Sequence, residues 1–391
     1  MRTSVDEHAA LIRELVRFSE RSETVPLLEA LGRITASEIV SPVDLPLFRN
    51  SQMDGFAVRA SEVALTPATL PVAGVIAATA GVPAALEPGT AVRIMTGAPL
   101  PEGADAVIPV EDTTVEGSSV TVARGRAVGE YVRERGSDVR AGDALLPAGL
   151  RLAPRHLAAL AAAGIATVDV RARVRVAIVT TGAELVTPGE AAGAGEVYDA
   201  NAVALAAAVA ASGACVSVAV RASDDVTAFA GVMREAAAGS DVIVTSGGIS
   251  MGDFEVVRQF LEPLGGAVTT IAMQPGGPQA TAVVHGVPVV SFPGNPVSTQ
   301  ISFEVFLAPI LRGAAGLPTA PRSARAVAST ITSVPGKRQF LRGRLTDTGV
   351  AVVAGPGSHL VAGLAASDVL IDIPEDTTHI DIGTTVEVLH L

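Results

Sequence analysis

The chain has 391 residues, which is enough for two or three domains. Hydrophobic residues make up 49% of the chain and aromatic residues only 3%, so we expect globular domains whose cores contain small side chains. The net charge of −12 argues against nonspecific binding of nucleic acid, and the single cysteine excludes a disulfide framework and a cysteine-rich metal site. The N-terminus shows no apolar signal-peptide core, so we expect a cytoplasmic protein.

The two segments on either side of the first β-rich region predict helices. Residues 4–20 have an amphipathic pattern that places Leu11, Leu15 and Phe18 on one face. Proline near the start and glycine at the end are typical of the other helices. The predicted helices are residues 4–20, 26–31 and 153–163, followed by a strand at residues 165–170. We expect residues 1–41 and 141–172 to pack together as a helical linker domain.

Residues 42–140 consist of short β runs separated by glycine and proline. The clearest runs are TLPVAGVIAA, TAVRIMTGA, DAVIPVEDT and SSVTVARG. This texture predicts a small all-β domain inserted between the two helical segments.

Residues 173–317 alternate regularly between strand and helix patterns. The predicted strands are residues 174–180, 215–220, 241–245 and 268–273, and the predicted helices are residues 201–211, 226–238, 254–264 and 297–308. This alternation predicts a parallel sheet with right-handed crossovers and helices on both faces. The uncharged run 202–220 is rich in alanine and is broken by a Ser-Gly pair, so it predicts a helix, a turn and a strand rather than a membrane span.

Polar and glycine residues follow three of these strands, where ligands of such sheets bind. The segments are TTGAE at 180–184, Asp224 with Asp225, and SGGIS at 246–250, and a fourth segment, PGNP at 293–296, precedes the last helix. Residues 241–253 read as a strand, a glycine turn and a helix start. That order indicates either an anion site or an ordinary tight turn.

The C-terminal segment, residues 318–391, returns to a β pattern. Its candidate strands are RAVASTITS, QFLRGRLT, GVAVVAGPG, DVLIDIPE and TTVEVLHL. Five strands are enough for a small barrel or sandwich.

Six motifs in this order resemble one family. They are SQMDGFAVR (51–59), RIMTGAPLPEGADAVIPVE (93–111), GSDVRAGDALL (136–146), TTGAEL (180–185), TSGGISMGD (245–253) and FPGNPVS (292–298). Together with the sequence patterns of the four predicted domains, they make the chain similar to the molybdopterin molybdenumtransferase family, known as MoeA in bacteria and as the gephyrin E domain in animals. The resemblance covers essentially the whole chain.

The resemblance implies a multidomain α/β plus β fold. Its parts are a helical linker domain (1–41 and 141–172), an inserted small β domain (42–140), a central parallel α/β molybdopterin-binding domain (173–317) and a C-terminal β-barrel-like domain (318–391). The implied reaction inserts molybdate into adenylylated molybdopterin, giving molybdenum cofactor and AMP, with a divalent metal such as Mg²⁺. The family also implies an elongated homodimer whose site lies between the α/β domain of one subunit and the β domains of its partner. Implied partners are the molybdopterin adenylyltransferase and recipient molybdoenzymes, with no nucleic acid and no membrane.

The motifs also imply residue roles. Catalytic roles are implied for Asp54, Thr96, Asp138, Glu184, Asp224, Asp253 and Glu255. Substrate binding is implied for Thr181, Gly182, Ser246, Gly247, Gly248, Ser250, Pro278, Pro293, Gly294, Asn295, Ser298, Arg342 and Ser358. Oxygen ligands suit a hard cation, and the implied metal ligands are Glu184, Asp224 and Asp253.

Several of these acids also have a purely structural interpretation. Asp253 is placed to cap the following helix, and Asp224 or Asp225 to cap the one after the second strand. Asp138 lies among glycine and arginine, as turn residues do.

The chain departs from the family at positions that carry positive charge. Many members have a lysine in a PGKP sequence, where this chain has Gly277, and a basic residue where it has Gln274. Glu255 replaces the more common aspartate. Compensating charge is expected from Lys337, Arg338 and Arg342, unless these form only a solvated basic strand face. The alternatives to an active enzyme are a molybdopterin-binding module without insertion activity and an interaction scaffold.

Overall fold

The computed structural model describes residues 2–249 and 255–391, so the predicted site residues Ser250 and Asp253 lie outside the described part. The chain divides into two compact units. We call Met1–Arg21 with Ala172–Leu391 the terminal unit, and Ser22–Arg171 the inserted unit. No helix in the described ranges is both long and apolar enough to cross a bilayer.

The described residues form short helices and many short strands. The α-helices are α1 Val5–Leu15, α2 Pro154–Ala162, α3 Ala200–Ala211, α4 Val226–Gly239, α5 Val256–Leu261, α6 Pro296–Ser302, α7 Ala308–Ala314 and α8 Val361–Ala365, with a π-helix at Phe303–Leu307 and 3₁₀ turns at Leu27–Ala30, Ala60–Val63, Val110–Asp112 and Glu262–Leu264. The strands of the inserted unit are β1 Ser22–Pro26, β2 Ile39–Val40, β3 Asn50–Ser51, β4 Gly55–Val58, β5 Ala68–Ile76, β6 Ala91–Ile94, β7 Ala106–Pro109, β8 Thr113–Glu116, β9 Ser119–Val122, β10 Val132–Arg133, β11 Ala144–Leu146 and β12 Thr167–Arg171. Those of the terminal unit are β13 Arg175–Thr181, β14 Leu185–Val186, β15 Val197–Tyr198, β16 Cys215–Ala222, β17 Val242–Ser246, β18 Ala267–Thr270, β19 Met273–Gln274, β20 Pro278–Val284, β21 Val287–Phe292, β22 Arg322–Ala326, β23 Ile331–Thr332, β24 Arg338–Thr346, β25 Gly349–Ala354, β26 Val369–Ile373, β27 His379–Ile380 and β28 Thr385–His390.

The inserted unit contains the predicted small β domain. Its main sheet has the strand order β7-β4-β6-β5-β9-β8. Phe56 and Val58 of β4 enter one apolar cluster and Ala57 enters another, as the period of two in a strand requires. The flanking segments pair through strands, β1 with β12 and β2 with β11. The linker is therefore less helical than predicted, because the expected helix at 26–31 is only a 3₁₀ turn after β1.

Helix α1 differs from its prediction in length, face and location. It ends at Leu15, and its buried residues are Val5, His8 and Ile12, whereas Leu11 is 46% exposed. A capping box starts the helix: the Ser4 hydroxyl accepts from the N–H of Glu7, and the Glu7 carboxylate accepts from the N–H of Ser4. Its buried side chains belong to the core of the terminal unit, so α1 does not join residues 141–172 as predicted.

Burial of His8 predicts acid sensitivity. The ring packs edge-on against Phe306 at 4.8 Å, and desolvation lowers the pKa of His8 from 6.5 to about 4. Because the folded state then binds fewer protons than the unfolded state, stability falls as the pH drops from 6.5 towards 4. We expect this one group to cost about 3 kcal/mol over that range. Urea unfolding of wild type and His8→Leu at pH 7 and pH 4.5 measures it.

The variant His379→Gln is the matched control, since His379 is exposed. An equal loss of stability on acidification in wild type and His8→Leu would contradict the assignment to His8.

The central sheet of the terminal unit is mixed, with the order β16-β13-β17-β21-β20-β18. The parallel pairing predicted for the strand–helix repeats is confirmed for β16, β13 and β17, and β21 adds a fourth parallel strand. The expectation of a wholly parallel sheet is wrong, because β20 and β18 run antiparallel. The hairpin β20–β21 was not predicted; its turn places His285 and Gly286 at positive φ.

Both faces of this sheet are buried, as predicted. Val176 and Ile178 of β13 join the cluster that contains α1 and α3, whereas Ala177 and Val179 join the cluster that contains α4 and α5. Because β13, β17 and β21 are parallel, their carboxyl ends meet at one edge of the sheet.

The C-terminal segment forms the predicted barrel-like sheet, with the order β19-β24-β26-β28-β22 and β25 paired to β24. A bridge between Val327 and Val350 connects the end of β22 to β25, and so brings the two sides of the sheet together. Strand β19 comes from the α/β region of the chain and pairs in parallel with β24. The predicted strand at 268–273 is therefore split, its first half in the central sheet and its end in the C-terminal sheet.

Candidate functional site

A cavity of about 1140 Å³ lies at the carboxyl ends of β13, β17 and β21 in the terminal unit. Loops of the α/β region and of the C-terminal sheet line it. The predicted site residues that line it are Thr181, Gly182, Glu184, Asp224, Gly247, Gly248, Glu255, Pro278, Pro293, Gly294, Asn295, Ser298 and Ser358. One cavity thus collects residues that are up to 177 positions apart in the chain, although the role of each remains a prediction.

Glu184 lies in the loop after β13, and Asp224, which precedes α4, contacts the same loop. Asp224 accepts a hydrogen bond from the N–H of Ala183 at 3.0 Å, which fixes the loop against the segment before α4. The Glu184 carboxylate folds over Gly182, where a Cβ atom would lie 2.8 Å from it. Glycine at 182 therefore makes room for this carboxylate. The neighbouring Asp225 caps α4 by accepting from the N–H of Ala228, as one structural interpretation predicted.

The glycine turn after β17 packs tightly against β13. A Cβ atom on Gly247 would lie 2.7 Å from the carbonyl oxygen of Thr181, and one on Gly248 would lie 2.8 Å from Val257. Both glycines also have positive φ. The N–H of Gly247 donates to the carbonyl of Phe292 at 3.1 Å, so this N–H group is engaged within the protein. The Thr181 hydroxyl is buried without a partner among the described residues.

Ser246 has a different place from the one expected. It is 1% exposed and does not line the cavity. Its hydroxyl accepts from the Nδ2 amide of Asn201 at 2.8 Å and lies 3.2 Å from the hydroxyl of Thr299. The same Nδ2 group donates to the carbonyl of Gly294 at 2.7 Å. Asn201 therefore links Ser246, the residue before the glycine turn, to the PGN loop. Ser246 is buried behind the cavity lining and stabilises it through this contact.

Asn201 and Asp199 were not recognised as site residues from the sequence. Both line the cavity. Asp199 caps α3 through the N–H of Ala202 and accepts from the Thr180 hydroxyl at 2.6 Å. The available signal was an Asp before a long alanine-rich helix, which is a common helix cap.

If this cavity binds AMP, as the resemblance implies, replacing Asn201 with alanine is expected to weaken that binding about tenfold, because two hydrogen bonds that join the end of β17 to the PGN loop are lost. Isothermal titration with AMP measures the effect. Gln300→Ala removes an amide from α6 outside the cavity lining and serves as the control. Unchanged AMP affinity in Asn201→Ala would show that the tie does not shape the site.

The segment 270–278 forms one wall and contains the departures from the family. The atoms nearest to a Cβ atom on Gly277 would be the carbonyl oxygens of Ile271 and Met273 and the Thr270 methyl, at 3.5–4.0 Å. A side chain is therefore sterically acceptable at this position. The Oε1 atom of Gln274 accepts a hydrogen bond from Nε2 of Gln339 at 2.6 Å.

The three expected compensating cations have different positions. Lys337 lines the cavity. Arg338 is held by the buried Asp372, which raises the pKa of the guanidinium, and also contacts Asp6. Arg342 is fully buried and does not line the cavity; it donates to the carbonyls of Gly355 and Gly357.

These positions correct part of the charge prediction. Arg338 is engaged in an ion pair, so it does not compensate for the lost lysine. Arg342 positions the loop that carries Ser358 rather than contacting the cavity. Arg2, which the sequence analysis did not consider, lines the cavity together with Lys337.

The remaining predicted acids lie in the inserted unit. Asp54 accepts hydrogen bonds from the N–H of Thr96 at 2.7 Å and from its hydroxyl at 2.9 Å. These bonds, with the nearby charge of Arg93, hold the pKa of Asp54 below its ordinary value. Asp138 lies in a bend, and its N–H donates to the carbonyl of Leu45 at 2.9 Å.

Two of the three predicted metal ligands lie among the described residues. Across residues 2–249 and 255–391, no three His, Cys, Asp or Glu side chains lie close enough together to hold a metal ion. Glu184 and Asp224 both line the cavity, and the third predicted ligand, Asp253, is outside the described part. Two hard oxygen donors fit Mg²⁺ in kind, since this ion usually binds through one or two carboxylates and keeps several waters.

Comparison with known proteins covers almost the whole chain. Family profiles match the MoeA N-terminal region (domain I and II) at residues 3–164, a probable molybdopterin binding domain at residues 177–313 and the MoeA C-terminal region (domain IV) at residues 325–391. Molybdopterin molybdenumtransferase 2 of Mycobacterium tuberculosis is 41% identical over 403 residues, with 99% of each chain covered. Molybdopterin molybdenumtransferase 1 of the same organism is 36% identical, again over 99% of each chain.

A solved structure agrees with these matches. The molybdopterin biosynthesis MoeA protein from Pyrococcus horikosii superimposes with a TM-score of 0.83 at 32% identity, covering 100% of this chain and 99% of that one. Relatives of this identity over the full length establish the family and confirm the resemblance of the motifs. The chain belongs to the molybdopterin molybdenumtransferase family of transferases, which act in molybdenum cofactor biosynthesis.

Proposed function

We propose that this chain inserts molybdate into adenylylated molybdopterin and releases molybdenum cofactor and AMP. The observation that carries the proposal is the cavity at the carboxyl ends of the parallel strands, where the Glu184 and Asp224 carboxylates lie beside a tight glycine turn. Its volume of about 1140 Å³ is slightly above the usual range for small-molecule sites, which suits a substrate built from a nucleotide and a pterin.

The residues of the cavity fit binding and positioning of this substrate. The unpartnered Thr181 hydroxyl is a donor or acceptor for a polar ligand atom beside the glycine turn. Asp199 and Asn201 hold the start of α3 and the PGN loop in place around the ligand. Lys337 contributes positive charge for phosphate or molybdate oxygens.

We further propose that Mg²⁺ is held by Glu184 and Asp224, with Asp253 as the third ligand. The ion would neutralise the negative charge that develops when the bond to AMP breaks. The two described carboxylates suit a hard cation because both are oxygen donors that line the same cavity.

The family resemblance also supports a cytoplasmic homodimer, in which Asp54, Thr96 and Asp138 act from the β domain of the partner. Light scattering of the purified protein tests the dimer. A monomer that still releases AMP at a normal rate would contradict this arrangement. The molybdopterin adenylyltransferase and recipient molybdoenzymes are the proposed partners, and co-purification tests them.

The decisive test is AMP release from adenylylated molybdopterin, with and without molybdate and Mg²⁺. Release that requires both supports the proposed reaction. The second candidate is a binding module without insertion activity, and Gly277 and Gln274 favour it because two cationic side chains are absent from these positions. Tight binding of the substrate without AMP release would establish that alternative and overturn the first.

A further inference from the structure

The charge of the cavity lining is unfavourable for an anion. The acidic side chains among the described lining residues are Glu184, Asp199, Asp224 and Glu255. Against these, the same part of the lining contains two lysine or arginine side chains, Arg2 and Lys337. The whole chain also carries a net charge of −12. An anionic ligand must overcome this negative field, and the two cations of the lining oppose it.

Arg2 reaches the cavity because the N-terminal segment is attached to one of its walls. Thr3 forms a parallel bridge with Ile271, and the N–H of Ala272 donates to the carbonyl of Thr3 at 2.8 Å. The next residues are fixed too, since Ser4 caps α1 and Asp6 pairs with Arg338 at 2.9 Å. Arg2 therefore directly precedes Thr3, whose backbone is held against the cavity wall.

The wall to which this segment is attached also contains Gly277. The N–H of Ile271 donates to the carbonyl of Gly277 at 2.6 Å, so Thr3, Ile271 and Gly277 belong to three adjacent stretches of backbone. A Cβ atom on Gly277 would lie 3.5 Å from the carbonyl oxygen of Ile271. The side chain of a lysine at position 277 would therefore extend from the same wall to which the N-terminal segment with Arg2 is attached.

We propose that Arg2 is an anion-binding residue of this cavity and supplies, from the N-terminal segment, the positive charge that position 277 lacks in this chain. The inference rests on the proposed function, because it assigns Arg2 to the same site. The ligand chemistry is a tetrahedral oxyanion, either molybdate or the phosphate of AMP. A guanidinium binds such oxygens through several N–H donors in one plane.

The test measures the dissociation constants of molybdate and AMP separately, by isothermal titration of protein that carries its tag at the C-terminus. Arg2→Gln is expected to weaken one of the two anions about fivefold, a modest effect because Arg2 is exposed to solvent. The anion that is weakened identifies which group Arg2 binds. The difference should shrink in 0.5 M salt, since salt screens exposed charges.

Arg13→Gln is the matched control, because it removes the same charge from the exposed surface of α1 and leaves the cavity lining unchanged. The double variant Arg2→Gln with Gly277→Lys is expected to recover most of the lost affinity. Recovery in the double variant separates a role of charge in the cavity from damage to the N-terminal segment.

Equal affinities in wild type and Arg2→Gln for both anions would overturn the assignment of Arg2 and leave the proposed function standing. A wild-type protein that binds neither anion would overturn both. If wild type binds both anions without releasing AMP, the proposed reaction fails, and Arg2 is still judged by the affinities alone.

Discussion

Glu184→Gln is expected to reduce molybdate-dependent AMP release by about 100-fold or more, while the fold and AMP binding are largely kept. The substitution keeps the size of the side chain over Gly182 and removes one negative charge from the cavity. In the proposed reaction Glu184 is a metal ligand and a charge near the bond to AMP, and both roles would matter mainly in the transition state. Single-turnover AMP release at saturating Mg²⁺ measures the effect.

The matched control is Glu190→Gln, which removes a charge from an exposed position of the same segment outside the cavity lining. Raising the Mg²⁺ concentration should restore part of the activity of Glu184→Gln if the carboxylate holds the metal. Activity within threefold of wild type would show that Glu184 has no role in the reaction.

Asp372→Ala is expected to destabilise the terminal unit by about 3–5 kcal/mol. Asp372 is only 4% exposed and receives both Nε and Nη2 of Arg338 at 2.7 Å, and Nη1 of Arg322 at 2.6 Å. Its removal leaves Arg322 with Glu387 and Arg338 with Asp6 as acidic partners, and both of these are more exposed than Asp372. Arg338 also binds Asp6 of α1, so the loss extends to the N-terminal segment. Urea unfolding followed by circular dichroism measures the change.

Asp381→Ala is the control for this prediction, because Asp381 pairs with His379 at an exposed site and should change stability by less than about 1 kcal/mol. Asp372→Asn keeps the shape but not the charge and should fall between the two. A similar midpoint for Asp372→Ala and Asp381→Ala would mean that the arginines find other partners.

Local patterns predicted the elements whose character depends on their own residues. Strands β13, β16 and β17 are continuous apolar runs, and α3 and α4 have clear starts and ends, so each was predicted within about two residues. The need for glycine at positions 247 and 248 arises within a single turn, so the local sequence indicates it as well. The unpredicted hairpin β20–β21 lacks this clarity, because its strands interrupt the strand–helix repeat and its turn uses a histidine.

Which residues line the cavity depends on contacts between residues that are far apart in the chain, and no local sequence pattern indicates these contacts. Asn201 looks like an ordinary residue at the start of a helix until Ser246 and Gly294 are seen beside it. Arg2 gains its position from contacts such as the bridge between Thr3 and Ile271, which are 268 residues apart. Motif comparison predicted the acids because they recur in a family, whereas the cations of this chain depart from that family.

Residues 270–278 are divided between two sheets, and this limits which segments can be exchanged between related proteins in a chimaera. Thr270 ends a strand of the central sheet, Met273 and Gln274 pair with β24 of the C-terminal sheet, and Pro278 begins a strand of the central sheet again. Inserting or deleting a residue here would shift the pairing of β19 and turn different side chains towards the cavity. A chimaera that replaces residues 318–391 would give β19 a foreign partner strand. A chimaera therefore keeps this pairing of strands only if residues 270–278 and 318–391 come from the same parent.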